Sequence, residues 1–96
     1  MVFADANVPV RAYRTIHGPL ENTFAYRFET ENRTVVFTGD GGPYHENIVA
    51  AAKEADILVA EAVTEANIEY APWGGDTIEE KKKEIFRYHF SPAVLA

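Results

Sequence analysis

The stretch from Thr34 to Ala60 constrains the fold most. An apolar run (TVVFT) meets a Gly-rich break (GDGGP), then an amphipathic segment, then a second apolar run (DILVA). A strand, helix, strand unit of this kind places its two strands in one sheet. In YHENIVAAAKE the apolar Ile48, Val49, Ala51 and Ala52 recur at near-helical spacing, and Pro43 suits a first helical turn, which predicts a helix over 44–54. DILVA, bounded by charges, has the form of a buried strand. Asp40 closes the first apolar run, so its carboxylate is either a turn residue capping the next helix or a ligand held at the edge of the sheet.

Upstream, VPVRAYRTI (8–16) is a strand by its β-branched and aromatic content, with Val8, Val10 and Ala12 on one side, and it ends at His17-Gly18-Pro19. AYRFET (25–30) and TVVFT (34–38), separated by Glu31-Asn32-Arg33, read as antiparallel neighbours joined by a hairpin turn. Downstream, a loop at Pro72-Trp73-Gly74-Gly75 leads to Thr77-Ile78-Glu79-Glu80, a capping box that starts a helix through about Arg87. Ser91 and Pro92 then supply the cap and first turn of another helix. Only four residues follow Pro92. A start signal without a body predicts a sequence cut inside a larger domain.

A chain of 96 residues holds one domain or part of one, and its 47% hydrophobic and 25% charged content is that of a globular protein. No cysteine occurs, so any metal must be held by His, Asp or Glu. The formal charge of −6 argues against nonspecific nucleic-acid binding. The one basic cluster, Lys81 to Lys83, lies among Glu79, Glu80 and Glu84 and reads as a solvated helix face. No apolar run approaches the roughly 18 residues needed to cross a bilayer, and the N-terminus lacks the features of a signal peptide. A soluble protein with no membrane partner, in the cytoplasm by default, is the expectation.

Four polar residues stand at a strand end or a helix start: His17, Asp40, Glu61 and His89. Rigid strands present functional groups at such ends. Each also has a plainer reading. His17 is equally a turn histidine before Gly-Pro, Glu61 a surface carboxylate at a strand exit, and His89 a histidine half-buried between Tyr88 and Phe90. A carboxylate placed like Glu61 must be solvated, paired or on a metal. His45 reads as a helix-surface residue. Trp73 either lines a pocket or plugs the core under its Gly-rich loop.

In their order, IHGPLENTFAYRFE, NRTVVFTGD, NIVAAAKEADILVAEA and YHFSPAVLA resemble the C-terminal portion of a metallo-β-lactamase-fold hydrolase, in the ribonuclease Z and arylsulfatase-like branch. The resemblance implies an α/β fold: half of a four-layer αββα sandwich, a mixed sheet with flanking helices, truncated at both ends. It implies His17 as a terminal metal ligand, Asp40 as a bridging ligand, and Glu61 with His89 as the catalytic pair that manages protons. Two zinc ions in the complete domain, or other divalent metals, would activate water against a phosphodiester, sulfate ester or related small-molecule ester. The ribonuclease Z branch leaves tRNA open as a partner despite the acidic charge.

The chain departs from the family pattern in four places. The HxHxDH motif and the last metal histidine are absent, Gly41 stands where the family's GDT has threonine, and Ala60 where its HEA has histidine. The 96-residue chain alone is therefore expected to be inactive. The alternative is a non-catalytic truncated homologue, a binding or dimerisation module that uses the sheet face its missing half would cover. An unrelated small α/β domain is the third reading.

Overall fold

The structure, a computed structural model, describes residues 3–4, 7–42 and 45–95. Among these, five strands form one sheet in chain order: β1 (Phe3–Ala4), β2 (Pro9–Arg14), β3 (Phe24–Glu29), β4 (Thr34–Phe37) and β5 (Ile57–Val59). The first four pair antiparallel, and β5 runs parallel to β4. Helix α1 (Glu46–Ala52) forms the crossover between β4 and β5, as the alternation of apolar runs requires. Three more helices follow: α2 (Glu65–Ile68), α3 (Ile78–Ile85) and α4 (Pro92–Leu95).

Register decides which side chains share a face. Tyr13 and Ala25 are paired, as are Arg27 and Val36, and these residues face α1. There Ala25, Val36, Ile48, Ala51 and Phe90 form the core, with Tyr13, Ala55 and Leu95 packed against it. Burying side chains such as Val36 or Phe90 contributes roughly 1.5–3 kcal/mol each. Arg27, also on this face, donates from Nη1 to the carbonyls of Ala51 and Lys53, both at 2.7 Å. It thereby satisfies helix-end carbonyls of α1 that no later turn can reach.

The opposite face carries Val10, Phe28, Val35 and Ile57 in one row and Ala12, Tyr26, Phe37 and Val59 in the next. Phe28 and Phe37 meet edge to face at 5.7 Å. Much of this apolar face is open: Tyr26, Phe37, Ile57 and Val59 are 41–49% exposed.

Several expectations are corrected. DILVA does form a strand, but Ile57, Leu58 and Val59 are all exposed, because β5 is the last strand of the sheet and lies beyond the helix-covered centre. The helix expected over 44–54 spans Glu46–Ala52, since Lys53 leaves helical geometry and Glu54 adopts a positive φ of 56°. Pro43 and Tyr44, read as its first turn, lie outside the described residues. The α3 helix stops at Ile85, short of Arg87, although its capping box is present as expected. The lysine cluster is not simply a solvated face. Lys82 pairs with Glu65 at 3.0 Å and Lys81 donates to the Glu69 carbonyl, so two of the three lysines tie α3 to α2. Among the described residues, no helix is long and apolar enough to cross a membrane.

Candidate metal and proton-transfer site

Four segments converge beyond the end of β4. Gly42 N–H donates to the Ile16 carbonyl and Gly18 N–H to the Arg87 carbonyl. Val63 N–H donates to the Phe90 carbonyl. These three backbone bonds bring the segments around His17, Asp40, Glu61 and His89 together, although they are far apart in sequence.

Glycine is required at this junction by close approach more than by turning. A Cβ on Gly42 would lie 2.5 Å from the His89 carbonyl oxygen, and one on Gly41 would lie 2.9 Å from the Phe90 ring. Phe90 is only 2% exposed and cannot swing away cheaply. This explains the departure at Gly41: a threonine there would collide with Phe90.

Glu61 Oε1 accepts from Gly41 N–H at 3.2 Å and from Phe90 N–H at 3.1 Å. The same oxygen faces His89 Nδ1 at 3.3 Å, with the two side chains 23% and 27% exposed. Glu61 thus fastens the turn after β4 to the segment carrying His89. An ionised carboxylate only accepts hydrogen bonds, so Glu61 is placed to stabilise a proton on His89 Nδ1.

Asp40, Glu61 and His89 each offer a ligand atom, all within 4.8 Å of one another. His17 is outside that group, with its ring 5.7 Å from that of His89. Its Nδ1 lies 2.6 Å from the Tyr88 carbonyl. A carbonyl cannot donate, so His17 Nδ1 carries the proton and Nε2 keeps a free lone pair, the arrangement typical of a metal-binding histidine. Imidazole nitrogens and carboxylate oxygens without a thiolate suit zinc or a harder divalent ion.

No protein-family profile matches the chain, and no curated protein does so. Among solved structures, the chain is similar to human tRNase Z, short form (ELAC1), with a TM-score of 0.55 and 25% identity. The match covers 96% of this chain and 39% of that one. The mixed sheet with flanking helices is that of part of a metallo-β-lactamase-like fold, the fold of this ribonuclease Z neighbour. The chain spans well under half of that relative's length.

Within this metallo-β-lactamase-like framework, three of the four polar residues expected from the sequence group together and His17 lies beside His89, while their supports carried no sequence signal. The Tyr88 carbonyl that orients His17 and the two amides that hold Glu61 have no sequence signature, because backbone groups carry none. His45 is corrected from a surface residue to the N-cap of α1, with Nδ1 accepting from Asn47 N–H at 3.1 Å. Histidine is not among the usual cap residues, so the sequence did not signal it. Trp73 is no core plug: it is 43% exposed and packs edge-on against Tyr88 at 5.8 Å.

Proposed function

We propose that the chain is part of a metal-dependent hydrolase acting on a phosphodiester, sulfate ester or related ester, and that a second half carrying HxHxDH completes the site. The observation that carries this reading is the grouping of Asp40, Glu61 and His89 within 4.8 Å, beside a His17 whose Nδ1 bond leaves Nε2 free. His17, through Nε2, and Asp40 hold the metal. Bound zinc supplies Lewis acidity and a water acidic enough to attack near neutral pH. Glu61 faces His89 from its Nδ1 side and stabilises its imidazolium form, protonated at both nitrogens, which gives the Nε2 proton to the leaving oxygen and is left neutral with its remaining proton on Nδ1. Human tRNase Z makes tRNA the first nucleic-acid substrate to try, against the charge of −6.

Zinc analysis and hydrolysis of an aryl phosphodiester and an aryl sulfate provide the test. The chain alone is expected to turn over neither, because two ligands hold zinc too weakly. Combination with a half that supplies HxHxDH is expected to give metal uptake and turnover. Stoichiometric tight zinc with turnover by the 96-residue chain alone would contradict the shared site. Absence of HxHxDH from the reading frame around the coding sequence would remove the enzyme reading.

The open apolar sheet face favours a second reading, a non-catalytic module that pairs through Tyr26, Phe37, Ile57 and Val59. Oligomeric state tests it.

A further inference from the structure

Trp73 stands in the loop between α2 and α3, packed against Tyr88 yet exposed. Gly75 lies so close to α3 that a Cβ on it would come 2.5 Å from Glu80 Cβ. The Glu80 carboxylate accepts from the amides of Asp76 and Thr77, at 2.9 and 3.3 Å. The loop is therefore anchored on the helix, yet its indole remains 43% exposed. The Trp73 ring meets Tyr88 edge to face, with an interplanar angle of 87°, and its centroid lies 6.3 Å from that of His89. Tyr88 is backed by Gly18, where any Cβ would strike the tyrosine ring, and the Arg87 guanidinium sits 6.0 Å over it. An exposed aromatic wall, packed on Tyr88 beside His89, is suited to receive a planar ring by stacking.

We propose that Trp73 is a specificity-determining residue which stacks the planar ring of an aromatic phosphate or sulfate ester, a nucleobase or an aryl group, and sets the ester beside His89. This rests on the hydrolase reading above. Tyr88 supports the indole from its edge, and Arg87 adds positive charge at the rim of the wall, where an anionic ester would pass.

Trp73 is the only tryptophan in the chain, so its emission reports on this wall alone. Fluorescence titrations of the 96-residue chain with AMP, phenyl phosphate and ribose phosphate, each in chelator and again with zinc, test the proposal. Saturable quenching by the two aromatic esters is expected, with ribose phosphate binding on the order of tenfold more weakly. AMP and phenyl phosphate separate a nucleobase from an aryl preference. By equilibrium dialysis, Trp73→Ala is expected to lose about that tenfold preference while binding ribose phosphate unchanged. Trp73→Phe, which keeps a ring against Tyr88, is expected to retain part of it. Absent quenching, equal binding of the three esters, or an unchanged preference in Trp73→Ala would overturn the proposal. Aromatic preference without even the weak, Asp40-dependent zinc binding expected of this half-site would leave the wall standing and remove the hydrolase reading. Zinc uptake that needs Asp40, without aromatic preference, would do the reverse.

Discussion

Glu61 Oε1 receives the amides of two residues that lie 20 and 29 positions away, and it faces His89 as well. Removing a part-buried acceptor of this kind leaves both N–H groups unpaired and costs about 1–3 kcal/mol. Glu61→Ala is therefore expected to lower the unfolding free energy measured by urea titration by that amount, and Glu61→Gln, which keeps an acceptor oxygen, to lower it less. Equal losses in the two variants would show that Glu61 does not act by receiving these amides. The position of Glu61 was legible from the sequence, because a carboxylate ending an apolar strand needs a partner. Its partners were not, since they are main-chain amides brought close only by the folded chain. Gly41 is similar: its departure from the family pattern was visible, but the reason, the Phe90 ring 2.9 Å from where a Cβ would be, needed the structure.

The α1 crossover depends on Arg27, whose side chain is 13% exposed and which caps the helix from the neighbouring strand. Hydrogen bonds from a charged donor are worth about 1.5–3 kcal/mol, so Arg27→Ala is expected to destabilise the fold by ~2 kcal/mol and to speed amide exchange in α1. Unchanged stability would remove this role. The hydrogen bond from Arg27, followed by the charges of Arg11 and Arg27, holds the Glu29 carboxyl below its ordinary value of 4.5. A lowered folded value adds stability that is fully present above the ordinary value and is lost as pH falls through the folded one. Arg27→Ala is expected to flatten the acid limb of a stability-against-pH curve in that window. The alternating elements from β4 to β5 were legible because strands and a helix leave different apolar periods. The four-residue α2 was not, since EANI is too short to show a period. Nor was the exposure of β5, because apolar composition does not reveal what covers a strand.

The molecule is long and thin for its size, with extents of 51 × 24 × 21 Å and a radius of gyration of 15.1 Å. A compact domain of about 100 residues has a radius near 13 Å. One face of its sheet is covered by α1, and the other exposes aromatic and β-branched side chains, the condition expected of half a sandwich. Such a face drives association. Sedimentation is expected to show concentration-dependent self-association, reduced by Phe37→Glu or Ile57→Lys, and a monomer at all concentrations would show that the open face does not recruit a copy. The same half-built character would leave the proposed metal site with few ligands of its own. A zinc titration followed residue by residue with NMR tests that site. The expected result is weak, saturable shifts centred on His17, Asp40, Glu61 and His89, lost in Asp40→Asn. Shifts scattered over acidic surface residues and unchanged in Asp40→Asn would contradict it.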